Sequence, residues 1–396
     1  MTEWPRFNMA GGPVEVPDRT RRDLSKPVLY HYDPAFKELF THTQDLLKQV
    51  YRTDYDVIIM QGEAILGLEA AAASLIAPGD KVLNLVSGVF GKWFEFFIDK
   101  FGGEIIEVAV PYDEAIDPED VRKALKANPG VKYLSVVHSE TPSGTHNPVK
   151  DIGAVAKEFG VITMVDTVSG LGAEVLSPEE WGMDVAIAGP QKCLSGTPGL
   201  SLMSISPAAW EAMEQHPKPL RGSFLSILDW KDAWLVGNRF PYTPSVSEMY
   251  ALESTLTQNL EEGMEHVAWR HQTIAKAARA GAKALGFELW PAREEISASC
   301  VTAVKVPEGF DEEKMRGLMR ERYGVMISPG YGDLYGKLFR LGHMGMAAHP
   351  TYLASQLAVL ERSLHDMGEK VEFGAGVGAA MAALDDWAIV ERGNRK

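Results

Sequence analysis

The chain has 396 residues, 45% of them hydrophobic, and a formal net charge of -15. That is enough for one large domain plus a smaller one with a sizeable buried core. The acidic balance argues against a general affinity for nucleic acid or anionic membrane, because both would repel such a surface without a basic patch, and the sequence offers none.

The first residues, from Met1 to Pro5, hold no basic segment leading into an apolar one. No apolar run reaches the roughly 20 residues that a membrane span requires, so a cytoplasmic location is expected. Cys193 and Cys300 stand outside any CxxC or His-rich cluster. This predicts two buried, reduced thiols, with no disulfide framework and no metal site.

An Ala-rich apolar stretch at helical spacing over 64–75 ends in Pro78-Gly79-Asp80, and a β-rich run follows over 81–86. The alternation continues with a helix through 93–97, a strand at 104–110, a helix at 118–127, a strand at 131–137, a helix at 152–159 and a strand at 161–165. Further strands fit 185–188 and 200–205. Strands without polar alternation, separated by helices, predict an α/β fold with a mostly parallel sheet covered on both faces. Ligands then bind at the carboxyl ends of its strands. A long helical pattern over 264–285 reads as the bridge into a smaller α+β unit, with strands at 301–306, 325–328 and 338–341 and helices at 311–323 and 352–367. The expected organisation is an N-terminal arm at 1–16, a large domain at 17–262, a small C-terminal domain at 263–375 and a tail at 376–396. The stretch 374–396 reads as a peripheral helix and a loose end.

Two residues at predicted strand ends carry chemistry. Asp166 terminates the run Met164-Val165 and precedes Ser169-Gly170; taken alone, it reads as a turn or cap aspartate. Lys192 lies just beyond another apolar strand in a Gly/Pro-bounded loop, where burial would lower its pKa toward the range of a nucleophile. Together they supply what a pyridoxal site needs from a protein: an amine to form an imine, and a carboxylate to charge the ring nitrogen.

The segments VDTVSG around Asp166, GPQKCLSGTPGL around Lys192 and HSETPSGTHNP resemble the class V aminotransferases, a family with the fold-type I pyridoxal-phosphate transferase architecture. The phrases LYHYDPAF, GEAILGLEAAAASLIAPGD, LNLVSGVFGK, YDEAID, FPYTPSVSE and LFRLGHMG extend the resemblance over most of the chain. It implies that Lys192 forms the internal imine, that Asp166 contacts the pyridine nitrogen, that Phe90 stacks on the ring and that Thr141 bonds near its 3-hydroxyl. Arg340, among Leu338, Phe339 and Leu341, would clamp a substrate carboxylate through its bidentate fork.

The departures from the family pattern lie where a 5'-phosphate should bind. The matching loop is Gln61-Gly62-Glu63-Ala64, and Glu63 against a phosphate would cost roughly 1 to 4 kcal/mol per pair of unit charges at about 4 Å. A 5'-hydroxymethyl group would instead donate to it, with a helix-capping role for Glu63 as the lesser alternative. Pro190 stands where such relatives carry Ser, and Phe240 where they carry a Tyr that reaches a neighbouring subunit's phosphate. Thr243 and Gln191 remain as donors. Tyr331 occupies a substrate-site position that the resemblance gives to an arginine, leaving Arg340 as the carboxylate's partner or implying a second substrate other than pyruvate.

The expected function is therefore transamination with free pyridoxal or pyridoxamine bound as substrate through Lys192: pyridoxamine plus pyruvate giving pyridoxal plus L-alanine, in vitamin B6 degradation. The alternatives are a conventional pyridoxal-phosphate enzyme of the alanine- or serine-glyoxylate type and, behind it, a vitamer-binding protein without activity. The resemblance also implies a homodimer or homotetramer, because FPYTPSVSE lies where this family completes a neighbour's site.

Overall fold

Runs of Val, Ile, Leu and Met that lack polar alternation fold as strands buried on both faces. Seven of them form one sheet in the computed structural model of the chain, which describes residues 5–384 and Trp387. In chain order they are β1 (Asp56–Gln61), β2 (Lys81–Val86), β3 (Glu104–Ala109), β4 (Val131–Val137), β5 (Ile162–Asp166), β6 (Val185–Ala188) and β7 (Leu200–Ile205). Their order across the sheet is β1-β7-β6-β5-β4-β2-β3. Only β7 runs antiparallel to its neighbours, so four of the six pairings are parallel, as the sequence predicts.

Helices cover this sheet. Those used below are α1 (Pro34–Tyr51), α2 (Ala64–Leu75), α3 (Val89–Lys100), α4 (Val246–Glu262) and α5 (Met264–Ala284). The α1 helix, absent from the sequence reading, starts at Asp33, whose side chain accepts from the Ala35 N–H, with Pro34 in its first turn. It buries Phe36, Phe40 and Leu47. The side chains of α1, α2 and the seven strands share one apolar core. A second core gathers α5, the helix Pro350–Asp366 and a three-stranded antiparallel sheet. That sheet has the order β8 (Val301–Lys305), β10 (Leu338–Gly342), β9 (Ser328–Pro329).

The predicted strand at 325–328 divides. Val325–Met326 pairs in parallel with Phe7–Asn8, while Ser328–Pro329 pairs with β10. The partner from the N-terminal segment is more than 300 residues distant in sequence, and no local pattern announces it. The peripheral helix expected after 374 is present as Ala375–Ala382, whereas the loose end beyond Leu384 lies outside the described residues apart from Trp387. Cys193 and Cys300 are free and buried in one apolar cluster with Val14, Ala298 and Met344.

Candidate active site

Register places the chemistry. Asp166 is the last residue of β5, level with Val137 of β4 and Ile187 of β6. Lys192 follows β6 by four residues, so both side chains emerge at the carboxyl edge of the sheet. They line one cavity of about 580 Å³ with Glu63, Phe90, Thr141, Tyr331 and Arg340.

At the reacting end, the Lys192 Nζ donates to the Gly11 carbonyl at 2.7 Å. Burial lowers its pKa, which favours the neutral amine that a nucleophile needs. Asp166 is buried, and burial pushes its pKa up to about 6 against the opposing Val168 N–H, which donates to Oδ1 at 2.8 Å. Thr141 and Ser169 share a short hydroxyl contact beside it. Gly12 has no room for a side chain: a Cβ there would sit 2.3 Å from the Lys192 Cδ, and its φ of +93° favours glycine independently.

Arg340 projects from β10 opposite Ser328 and Ala303. Its Nε donates to the Pro329 carbonyl at 2.8 Å and its Nη1 to the Thr141 carbonyl at 3.1 Å. Burial lowers its pKa to about 10, so it stays charged at neutral pH. Among the described residues two of its five N–H donors are engaged, and a guanidinium so placed can meet a carboxylate with the others.

Two helices start at this cavity, and a glutamate carboxylate accepts from the first turn of each. Glu140 is fully buried and accepts from the Phe90 N–H at 3.1 Å and the Gly91 N–H at 2.7 Å, which fixes the start of α3 and with it the Phe90 ring. Burial pushes the Glu140 pKa up to about 7. Glu63 is the N-cap of α2: its Oε2 accepts from the Ile65 N–H at 2.9 Å, and its Oε1 accepts from the Gln191 Nε2 at 2.5 Å. Unlike Glu140, Glu63 is exposed at the cavity. The helix-cap reading and the cavity-facing reading of Glu63 thus hold together.

The remaining expected residues fall in three places. Gln191 is buried beside Glu63, with its Oε1 left without a partner among the described residues. Phe240 lies in an aromatic core of its own chain, stacked on Trp234 at 4.4 Å and close to Phe36 and Phe40, not in the cavity. Its ring has no polar atom, so it is drawn inside where a tyrosine hydroxyl would need a partner. Thr243 is exposed in a separate shallow cleft with Tyr30 and His31. The sequence reading missed Gly11, Gly12, Ser169, Glu140 and Trp93. Of these, the Gly11-Gly12-Pro13 run carried a signal, since paired glycines mark close backbone approach.

Comparison with known proteins agrees with this geometry. The family model described as Aminotransferase class-V matches residues 25–334. The chain is 44% identical over 381 residues to the pyridoxamine–pyruvate transaminase of Mesorhizobium japonicum, covering 96% of this chain and 97% of that protein. It is 32% identical to the L-aspartate–glyoxylate aminotransferase of Paracoccus denitrificans, with 93% of each covered. The crystal structure of pyridoxamine-pyruvate aminotransferase from Mesorhizobium loti superposes with a TM-score of 0.94 at 43% identity, covering 97% of this chain and 98% of that one. With its parallel sheet, its strand-end lysine and aspartate and these relatives, the chain belongs to the class V aminotransferases.

Proposed function

We propose that the protein is a transaminase for free vitamers, taking the amino group of pyridoxamine to pyruvate and releasing pyridoxal and L-alanine. The single observation that carries this reading is the Glu63 carboxylate, which caps α2 and faces the cavity. A helix N-terminus is a ready anion site, but here the Ile65 N–H and the Gln191 amide already serve the chain's own anion. A phosphate would meet repulsion there and would have to displace both bonds, whereas a hydroxymethyl group would donate to the carboxylate. The relation to the pyridoxamine–pyruvate transaminase of M. japonicum supports the same reading.

The residues present fit a pyridoxal-type ring: a buried amine, a buried strand-end carboxylate, an aromatic face at Phe90 and a hydroxyl at Thr141 surround one cavity. Such a ring, when bound, supplies the electron sink that acidifies the neighbouring C–H. Asp166 pairs with the ring nitrogen and keeps it charged. Lys192, its pKa lowered by burial, would join the aldehyde carbon with loss of water and, once released from it, would carry the proton between the two carbons that flank the nitrogen. Arg340 orients the acid by its carboxylate, and Phe90, held by Glu140, fixes the ring plane. The direction that consumes pyridoxamine suits breakdown of the vitamin. The reading includes a homo-oligomer, in which the exposed Thr243 segment meets a second copy; light scattering of the purified protein tests that part.

The test is turnover of pyridoxamine with pyruvate, read as pyridoxal and alanine by chromatography, beside the same assay with pyridoxamine 5'-phosphate. Formation of both products from the free vitamer, with the phosphate a poor substrate, is expected. Tight retention of pyridoxal 5'-phosphate through purification, with no turnover of free pyridoxamine, would make the protein a conventional aminotransferase of the glyoxylate type.

A further inference from the structure

Beyond the vitamer and the carboxylate contact, the cavity has a third region whose chemistry is on the surface. Phe90 and Trp93 on α3 and Tyr331 after β9 form a triangle of rings, with centroids 5.8 Å apart for Phe90–Trp93, 6.1 Å for Phe90–Tyr331 and 5.5 Å for Trp93–Tyr331. Trp93 is 37% exposed and Tyr331 41% exposed, so their faces stand open to an occupant. Phe96, also on α3, and Ile65, at the start of α2, continue the apolar lining. The loop that carries Tyr331 is tied to the acid-binding side: Ser328 is level with Arg340 in the sheet, and the Arg340 Nε holds the Pro329 carbonyl two residues before Tyr331.

The charges lining the cavity limit what can bind. Its cations are Lys192 and Arg340, and its anions are Glu63 and Asp166. With Lys192 given to the vitamer, one guanidinium remains for one carboxylate. A second carboxylate on the substrate would have no cation and would face aromatic rings, losing its hydration without a partner. An apolar side chain would instead leave water for the faces of Trp93 and Tyr331.

We infer that the Phe90–Trp93–Tyr331 triangle is a side-chain subsite, and that it extends the enzyme's amino acceptors beyond pyruvate to 2-oxo monocarboxylic acids with bulky apolar or aromatic side chains, excluding dicarboxylic ones. This inference rests on the transaminase reading above and names the acceptor class of the same site. Each buried methylene in such a subsite is worth about 1–3 kcal/mol, on the order of 10–200-fold in kcat/KM.

The experiment is a panel of pyruvate, 4-methyl-2-oxopentanoate, phenylpyruvate and 2-oxoglutarate, run with pyridoxamine and in parallel with pyridoxamine 5'-phosphate as amino donor. Values of kcat/KM for phenylpyruvate and 4-methyl-2-oxopentanoate at or above that for pyruvate are expected, with 2-oxoglutarate lower by about a hundredfold. Trp93→Ala should lower phenylpyruvate turnover by about tenfold or more relative to pyruvate. Tyr331→Arg should raise 2-oxoglutarate relative to phenylpyruvate. As a readout independent of turnover, equilibrium dialysis against the protein saturated with pyridoxal, which occupies Lys192, should show 3-phenylpropionate binding and glutarate not binding. Pyruvate preferred by about tenfold or more over both bulky acids, or an equal loss for every acceptor in Trp93→Ala, would overturn the inference. If only the phosphorylated donor reacts, the free-vitamer reading falls, while the ranking of acceptors still decides this one.

Discussion

The two ends of the cavity are built on different terms. At the reacting end, Lys192 and Asp166 are held by backbone groups, the Gly11 carbonyl and the Val168 N–H; burial lowers the pKa of Lys192 toward its task, while the raised pKa of Asp166 still lies below neutral pH. At the far end, Glu63 is exposed and holds its place through a helix cap and one amide. Glu140 sharpens the contrast, since it also serves a helix start but is sealed inside and accepts only backbone N–H groups. On the proposed reading, the buried groups set what reaction is possible, and the exposed carboxylate sets which vitamer is admitted. Chemistry and selectivity should therefore separate under mutation.

The largest effect is expected at the reacting end. Lys192→Ala should abolish transamination and the visible absorbance that pyridoxal acquires on joining a lysine, because among the cavity's residues Lys192 is the one amine. Any retained turnover would break the division just drawn. Asp166→Asn should keep vitamer binding yet slow proton transfer by about two to three orders of magnitude or more, as measured in single-turnover kinetics. A near-normal rate would mean that another group charges the ring.

Glu63→Ala addresses the other end. It should shift the ratio of pyridoxal 5'-phosphate to pyridoxal affinity toward the phosphate by roughly five- to a thousandfold, the counterpart of about 1 to 4 kcal/mol. Its kcat with bound pyridoxamine should change far less than in the two variants above, and an equal collapse of kcat would show that the ends are not separable. The smallest effect is on pH. Asp166 has a pKa raised to about 6 and is required as a carboxylate, so kcat/KM should be full above about pH 6 and fall by about tenfold per unit below it. A profile that is flat from pH 7 to 5 would contradict that assignment.

Much of this was legible in the sequence because strand-end chemistry follows from local pattern. The runs over 81–86, 131–137, 185–188 and 200–205 fold as read, and the carboxyl ends of Ile162–Asp166 and Val185–Ala188 carry Asp166 and Lys192 to one edge. Long-range pairings were not legible. The approach of Gly11 and Gly12 to Lys192 depends on the N-terminal segment pairing with Val325–Met326, a contact that no window of sequence contains. Glu140 was hidden for a similar reason, since its partners Phe90 and Gly91 lie about 50 residues earlier. Phe240 was illegible in another way: within its own chain this ring lies in the core beside Trp234, a packing that the motif around it does not announce.

The most direct test of the account is a titration of the vitamer-free protein with pyridoxal and with pyridoxal 5'-phosphate, side by side in the wild type and in Glu63→Ala. The account predicts that the wild type binds pyridoxal more tightly by about tenfold or more, and that this preference disappears or reverses in the variant. Tighter binding of the phosphate by the wild type, unchanged in Glu63→Ala, would contradict it.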